Sequence, residues 1–107
     1  MDGVVVIAIV SHAWLIGDHS DEYARIVGEF ETVHRRIAGY RGRRLLLDPV
    51  DRRHLTNIRF FDSVDDYDRL VAEPDYGEWI GRLSALVEPR DPQKEIHVVL
   101  VSTETGT

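Results

Sequence analysis

The spacing of hydrophobic positions changes several times along the chain, and each change predicts a new element of secondary structure. Residues 4–14 are rich in β-branched side chains and apolar on both faces, which predicts a central strand buried on two sides. After a turn, apolar residues recur at every third or fourth position over residues 21–38, the spacing of an amphipathic helix with Ser20 as its N-cap. The predicted buried stripe of this helix consists of Tyr23, Ile26, Val27, Phe30, Val33, His34 and Ile37.

The second half of the chain predicts a hairpin, two helical segments and a last strand. Residues 43–47 and 54–62 are the two strands of the hairpin, with a turn-rich connection between them. Ser63 is the predicted cap of a helix over residues 64–73, and Asp66 completes a weak capping box. A further helical run is expected over residues 75–87 and a final strand over residues 96–102, before a frayed, flexible tail at 103–107.

The resulting order, β-α-β-β-α-(α)-β, is that of the split βαβ or ferredoxin-like fold. It predicts one α+β domain over residues 1–107, with a four-stranded antiparallel sheet and helices on one face. Because the strands are apolar on both faces, the face without helices needs a partner. A two-fold homodimer that joins two sheets into an α/β barrel would provide one.

Composition narrows the classes of function. The 107 residues include no Cys, which excludes a disulfide scaffold, a Cys-based zinc site and a thiol nucleophile. With 13 basic and 19 acidic residues the formal net charge is −6, so we expect no nucleic-acid partner. The longest apolar run, residues 4–10, is much shorter than the ~20 residues of a membrane span, and no signal peptide is evident. We therefore expect a cytoplasmic protein without a membrane partner.

Two short motifs resemble the antibiotic biosynthesis monooxygenase family. The first is the glycine-aromatic-x-glycine step at residues 39–42, and the second is the segment 57–63, which ends in an aromatic-x-Ser step before the second helix. The resemblance covers residues 4–101. It implies a dimeric α/β barrel built from ferredoxin-like protomers. Within the family it implies a range of activities: oxygenation of anthrones or quinols without metal or flavin, haem degradation, and processing of small signalling molecules.

Departures from the family pattern narrow this range. The haem-degrading branch has a Trp where this chain has Phe61, and an iron-ligating His on the helix that follows. No His occurs between Asp62 and Ile96, so haem degradation is disfavoured. The anthrone-oxygenating branch is similar at Asn57 and Tyr67. The resemblance therefore implies a cofactor-independent monooxygenase that acts on a small aromatic polyketide intermediate with dioxygen as its second substrate.

Candidate catalytic residues lie on the predicted strand 54–62. Alternate side chains of a strand share a face, so Asn57 and Arg59 lie beside the apolar Phe61. Polar groups on a buried face need partners. Either these two residues pair with each other or with an acidic residue such as Glu31 or Glu95, or they face a cavity and bind a polarised oxygen.

Three further side chains complete the hypothetical catalytic set. His34 and His12 are the candidate bases, because the ordinary pKa of histidine suits proton transfer near neutral pH. A purely structural role is the alternative for His34, which lies on the apolar stripe of the first helix. Tyr67 is the candidate hydrogen-bond donor. The predicted apolar walls of the substrate site are Trp14, Phe61, Tyr76 and Trp79.

Other functions remain open at this point. The sequence contains no His-x-x-x-His pair and no nucleotide-binding motif, so we expect neither a metal nor another cofactor. A non-oxidative polyketide cyclase or isomerase would use the same pocket without oxygen. A non-catalytic, small-molecule-binding or stress-related barrel predicts a small or filled cavity, with Asn57 and Arg59 fully paired inside the protein.

Overall fold

The chain folds as an alternation of strands and helices over residues 6–90 and 94–103, the residues that the computed structural model describes. None of the helices in this part of the chain has the length and hydrophobicity needed to cross a membrane. The elements over these residues are β1 (Ile7–Trp14), α1 (Ser20–His34), β2 (Tyr40–Leu47), β3 (His54–Phe61), α2 (Val64–Val71), α3 (Tyr76–Ser84) and β4 (Lys94–Val98).

The four strands form one sheet in the order β2-β3-β1-β4, and every neighbouring pair is antiparallel. β1 lies between β3 and β4, as its apolar character on both faces predicts. Ile9 of β1 is opposite Arg59 of β3 and Ile96 of β4, which fixes the register of the central strands. The predicted α+β, ferredoxin-like architecture is confirmed.

A bulge in β2 decides which of its side chains face the helices. Tyr40 pairs with Phe61 and Arg43 pairs with Arg59, so β2 has one extra residue between the two pairs. Gly42 lies in this bulge with a φ of 101°, a backbone conformation that favours glycine. The extra residue allows Tyr40 and Arg43 to reach the same helix-covered face, where both contact Glu31 of α1.

Two clusters of buried side chains lie between the sheet and the helices. The larger cluster includes Ile9, Phe30 and Phe61, and the smaller one includes Leu15 and Leu55. Burial of each large apolar side chain stabilises the fold by about 1.5–3 kcal/mol. The predicted stripe of α1 is confirmed, since all of its members are buried: Tyr23, Ile26, Val27, Phe30, Val33, His34 and Ile37.

The ends of several elements differ from the sequence-based expectation. His19, not Ser20, is the N-cap of α1, and its side chain makes no capping hydrogen bond. The helix ends at His34 rather than at residue 38, because the Arg36 N–H bonds to the Val33 carbonyl in a tighter turn. α3 ends at Ser84 and β4 runs over Lys94–Val98 instead of 96–102. Residues 4 and 5 of the predicted first strand, and residues 104–107 of the predicted tail, lie outside the described residues.

The face of the sheet opposite the helices carries a mixture of apolar and aromatic side chains. Val10 pairs with Ile58 and Ala8 with Phe60, and these positions alternate with the buried Ile9. Val10, Ile58 and Phe60 are half-buried in the single chain. Farther along this face Trp14, His12 and His54 stack on one another, with the Trp14 and His54 ring centroids 4.5 Å apart. We call this surface the open sheet face.

The cap of α2 gives a direct test of the local structure. Ser63 Oγ accepts a hydrogen bond of 3.2 Å from the Asp66 N–H, as predicted from the sequence. Ser63→Ala should therefore lower the free energy of unfolding, measured by urea denaturation, by about 1 kcal/mol. Ser20→Ala is the matched control, because Ser20 does not cap α1, and should leave stability nearly unchanged. Equal losses in the two variants would contradict this assignment of the caps.

Candidate functional site

A cavity of about 140 Å³ lies between the helix-covered face of the sheet and the helices α1 and α3. Its polar lining is Ser11, Tyr23, Arg43, Asn57, Arg59 and Ser84. Its apolar lining is Phe30, Ile80, Leu83 and Val87. A mostly apolar wall with a few convergent polar groups is the usual construction of a small-molecule site.

Strand register brings the polar groups together. Asn57 and Arg59 are two residues apart on β3 and so share a face. Ser11 of β1 is directly opposite Asn57, and Arg43 of β2 is directly opposite Arg59. Three neighbouring strands thus place four hydrogen-bonding side chains side by side on one wall of the cavity, which we call the polar wall.

His34 lies behind the polar wall, in the last turn of α1, and is fully buried. Its Nδ1 is 3.0 Å from the Phe30 carbonyl oxygen, which can only accept a hydrogen bond. Nδ1 therefore carries the proton, and Nε2 is left as an acceptor. Arg43 Nη2 donates to Nε2 at 2.9 Å and Arg59 Nη1 donates to it at 3.2 Å. The imidazole orients both guanidiniums.

These surroundings keep His34 neutral. Burial lowers its pKa to about 4, and the positive charges of Arg43 and Arg59 act in the same direction. The Phe30 carbonyl and Glu31 offset only part of this effect. A neutral imidazole whose free nitrogen already accepts two hydrogen bonds is poorly suited to remove a proton from a substrate. The geometry thus gives His34, a candidate base in the sequence, a structural position.

Arg43 is neutralised within the protein. Its Nε donates to Glu31 Oε1 at 2.6 Å, and the Tyr40 hydroxyl donates to the same oxygen at 2.7 Å. Burial acts to raise the pKa of Glu31, but the Tyr40 hydrogen bond and Arg43 lower it overall. The pKa of Tyr40 is raised to about 12, by burial and by its bond to Glu31. Glu31 is therefore ionised and Tyr40 neutral near pH 7.

Arg59 differs from Arg43 because it pairs with no carboxylate in residues 6–90 and 94–103. It is only 5% exposed, and its Nε has no hydrogen-bond partner within that part of the chain. Asn57, one predicted partner, accepts instead from Arg43 Nη1 at 3.4 Å. Glu95, another, is exposed and pairs with His97. Asn57 therefore has an internal partner, whereas the positive charge of Arg59 has no carboxylate beside it among these residues.

Tyr67 is buried next to the polar wall rather than in the lining of the cavity. Its ring packs against Phe61 at 5.6 Å between centroids, and Arg59 lies over it at 5.3 Å. Lys94 donates a hydrogen bond to its hydroxyl. Burial acts to raise the pKa of Tyr67, but Lys94 and Arg59 lower it overall. Tyr67 therefore contacts Arg59, a lining residue, without lining the cavity itself.

The predicted aromatic walls on the helix side support the cavity from behind. Tyr76 and Trp79 pack against Phe30 with centroids 5.4 and 5.5 Å away, and Phe30 is the ring that lines the cavity. Phe61 is fully buried in the larger core cluster, between Tyr40 and Tyr67. None of Phe61, Tyr76 and Trp79 is part of the lining of this cavity.

His12 and Trp14 lie away from this cavity. Both were expected at the substrate site, but they lie on the open sheet face, where His12 Nδ1 is 3.0 Å from His54 Nε2. They alternate with Ser11, which does line the cavity. The sequence groups His12 with Trp14 correctly, but a strand that is apolar on both sides does not show which side the helices cover.

Several lining residues were missed from the sequence. Tyr23 was assigned only to the apolar stripe of α1, and Arg43 only to the predicted strand over residues 43–47. A signal for Arg43 exists: it shares its strand face with Leu45 and Leu47, both of which pack against the core. The cavity-lining part of α3, with Ile80 and Ser84, has no comparable signal. Within the described ranges no group of three or more His, Asp or Glu side chains could hold a metal ion.

Solved structures of other proteins share this architecture, although sequence comparisons find no match. No protein-family model and no curated protein sequence matches the chain. Solved structures do match it. SnoaB, a cofactor-independent oxygenase from Streptomyces nogalater, has a TM-score of 0.72 and 16% identity, over 96% of this chain and 99% of SnoaB.

Two further structures are assigned as antibiotic biosynthesis monooxygenases. The protein from Bordetella bronchiseptica has a TM-score of 0.79 and 14% identity, over 91% of this chain and 99% of its own. The protein from Nitrosomonas europaea has a TM-score of 0.77 and 14% identity, over 97% and 98% of the two chains. The chain thus has the ferredoxin-like fold of the antibiotic biosynthesis monooxygenase-type proteins, in agreement with the resemblance seen in its motifs.

The buried, neutral His34 predicts a loss of stability in acid. Its folded-state pKa of about 4 is below the ordinary 6.5, so the unfolded chain takes up a proton first as the pH falls. The stabilisation is complete above pH 6.5 and disappears as the pH approaches 4. Between pH 7.5 and pH 5, the wild type should lose about 2 kcal/mol more than His34→Gln in urea denaturation.

The variant also serves as the control for other acid-sensitive groups, since Glu31 is present in both proteins. Loss of stability by the same amount in the two proteins would show that His34 titrates normally. An NMR titration of the imidazole would report the pKa directly.

Proposed function

We propose that this protein is a monooxygenase that oxidises an electron-rich, anthrone- or quinol-like aromatic compound with dioxygen and without a cofactor. The observation that carries this proposal is the polar wall. Arg43, Asn57 and Arg59 converge on a cavity that Phe30, Ile80, Leu83 and Val87 line on the helix side, which suits a flat ring with a polarised oxygen at its edge. The shared fold with SnoaB, itself a cofactor-independent oxygenase, supports the same reaction class.

The reaction needs an anionic substrate. An anthrone loses a proton to give an electron-rich enolate, which can pass one electron to dioxygen. The resulting substrate radical and superoxide combine through a new C–O bond, and the peroxide loses water to leave a quinone. The protein has to bind the ring, hold the anion and exclude bulk water.

The arginines of the polar wall can lower the pKa of the bound substrate. A positive charge within about 4–6 Å lowers the pKa of an acidic group by 1–3 units, because it favours the ionised form. An enol oxygen beside Arg43 and Arg59 would ionise more readily than in water, with Asn57 as a further donor to the anion. The substrate proton can then leave to solvent, which fits the absence of a free acceptor on His34.

The alternatives make different demands on this site. A non-catalytic barrel predicts a small or filled cavity with Asn57 and Arg59 paired inside the protein. The cavity is small and Asn57 accepts from Arg43, but Arg59 pairs with no carboxylate of the described residues. A cyclase or isomerase would use the same stabilised enolate but consume no oxygen. Oxygen uptake separates these two enzyme classes.

We also propose that two copies of this ferredoxin-like domain form a homodimer through their open sheet faces. Val10, Ile58 and Phe60 are only half-buried there, and Leu46 beside them is 46% exposed. A contiguous apolar patch on a sheet is typical of a protein interface. The dimer would close two sheets into a barrel and leave one cavity in each protomer.

Asn57 provides the test of catalysis. We expect the purified protein to accelerate oxygen uptake by a synthetic anthrone or a naphthohydroquinone, after correction for autoxidation, with formation of the quinone from the anthrone and of the hydroxyquinone from the hydroquinone. Asn57→Ala should lower this rate at least about tenfold, because it removes a donor to the developing anion. Thr32→Ala, on the exposed side of α1, is the control and should retain full activity. Unchanged uptake in Asn57→Ala would remove Asn57 from the site.

Ile58 provides the test of assembly. Ile58→Arg should convert the dimer to a monomer in size-exclusion chromatography with light scattering, because it places a charge in the middle of the apolar patch. Val64→Arg makes the same change at an exposed position of α2, outside the open sheet face, and should leave the dimer intact. A wild type that is monomeric at high concentration would refute the proposed dimer.

A further inference from the structure

The charge on the polar wall is unbalanced in a way that a ligand could correct. Arg43 has Glu31 as its counter-ion at 2.6 Å, whereas no carboxylate of residues 6–90 and 94–103 pairs with Arg59. An arginine stays charged at every physiological pH. A buried charge without a counter-ion costs several kcal/mol. The site is thus complete only when an anion lies beside Arg59.

The geometry of Arg59 indicates which kind of anion fits. Nη1 is bonded to His34 and Nε is enclosed by the protein without a partner among the described residues, so the guanidinium faces the cavity through its remaining surface. There a carboxylate oxygen can accept a charge-assisted hydrogen bond. A phenol or enol offers one oxygen and is mostly neutral near pH 7, whereas a carboxylic acid is ionised throughout this range. A permanent cation is best matched by a permanent anion.

The volume of the cavity limits the size of the ligand. At about 140 Å³ it is close to the ~150 Å³ of a cavity that accepts benzene. It is well below the ~300–1,000 Å³ typical of sites for drug-sized molecules. Phe30, Leu83 and Val87 give the walls an apolar surface suited to a ring. One or two rings match this volume, and a third fused ring would project through the open side of the cavity.

We propose that the substrate of this cavity is a one- or two-ring hydroxyaromatic carboxylate, and that Arg59 binds its carboxylate. This inference rests on the proposed function for the reaction, but the binding step can be tested without it. Ser11 and Tyr23, which also line the cavity, are positioned to hydrogen-bond a ring hydroxyl. Burial raises the pKa of Tyr23, so its phenol keeps its proton near pH 7.

The test compares an acid with its neutral isostere. Binding of naphthoate and of naphthamide to the full chain is measured by isothermal titration calorimetry. The wild type should bind naphthoate at least about tenfold more tightly, since hydrogen bonds between charged groups are worth about 1.5–3 kcal/mol. Arg59→Gln should bind the two compounds about equally. Arg25→Gln removes an exposed arginine of α1 as the matched control and should preserve the preference.

Folding of the variants is checked in the same series. Arg59→Gln removes an uncompensated buried charge, so its thermal unfolding midpoint should equal or exceed that of the wild type. Arg59→Lys keeps the charge but not the forked donors, and should show an intermediate preference for naphthoate. Naphthoate should raise the unfolding midpoint of the wild type more than naphthamide does, and the two compounds should raise that of Arg59→Gln by about the same amount.

Three outcomes would overturn the inference: equal affinity of the wild type for acid and amide, no binding of either, or a preference that survives in Arg59→Gln. Oxygen uptake then separates this inference from the proposed function. A preference for naphthoate without oxygen consumption on any hydroxynaphthoate would refute the monooxygenase and leave the carboxylate site standing. Equally fast oxidation of a neutral naphthohydroquinone and of its carboxylated analogue would refute the carboxylate site and leave the monooxygenase standing.

Discussion

Two arginine side chains share one neutral imidazole beneath the sheet, and the arrangement of the site depends on this contact. His34 has a single free lone pair, which accepts from both Arg43 and Arg59. Its proton is donated to the Phe30 carbonyl, and the neutral ring carries no negative charge that could offset the two guanidiniums. Glu31, one turn earlier on α1, neutralises one guanidinium only. Because α1 places one carboxylate and one neutral imidazole beside two arginines, the polar wall keeps a net positive charge.

The sheet contributes the other half of this constraint. The bulge at Gly42 turns Arg43 toward α1, directly opposite Arg59 on the neighbouring strand. Adjacent guanidiniums repel each other, and burial strengthens the repulsion because the local dielectric is low. Such an arrangement persists only because the surrounding core is stable enough to hold it. A charged group that weakens the folded state, buried against a cavity, is characteristic of a functional site rather than of core packing.

The sequence predicts the fold far better than the site, for physical reasons that particular residues illustrate. The helical stripe from Tyr23 to Ile37 and the strand order follow from periodicity, which reports burial directly. Asn57 and Arg59 could be singled out because polar groups alternate there with apolar ones. The side of β1 that the helices cover, and hence the position of His12, depends on tertiary packing. Arg43 alternates with the core-facing Leu45 and Leu47, but its pairing with Arg59 depends on a bulge after Tyr40, which periodicity does not show.

A shared fold at 14–16% identity does not identify the reaction, so the reaction has to be inferred from the cavity. The electrostatics of the polar wall favour any chemistry that passes through an aromatic enolate, and both oxygenation and cyclisation do so. What separates them is the substrate: an enolate that is easily oxidised reacts with dioxygen, and one with an electrophilic carbon in reach closes a ring. The cavity volume of about 140 Å³ matches one or two rings rather than a long, folded polyketide chain. This volume therefore favours the proposed oxygenation of a preformed ring. The positive polar wall would stabilise the enolate anion with which dioxygen reacts.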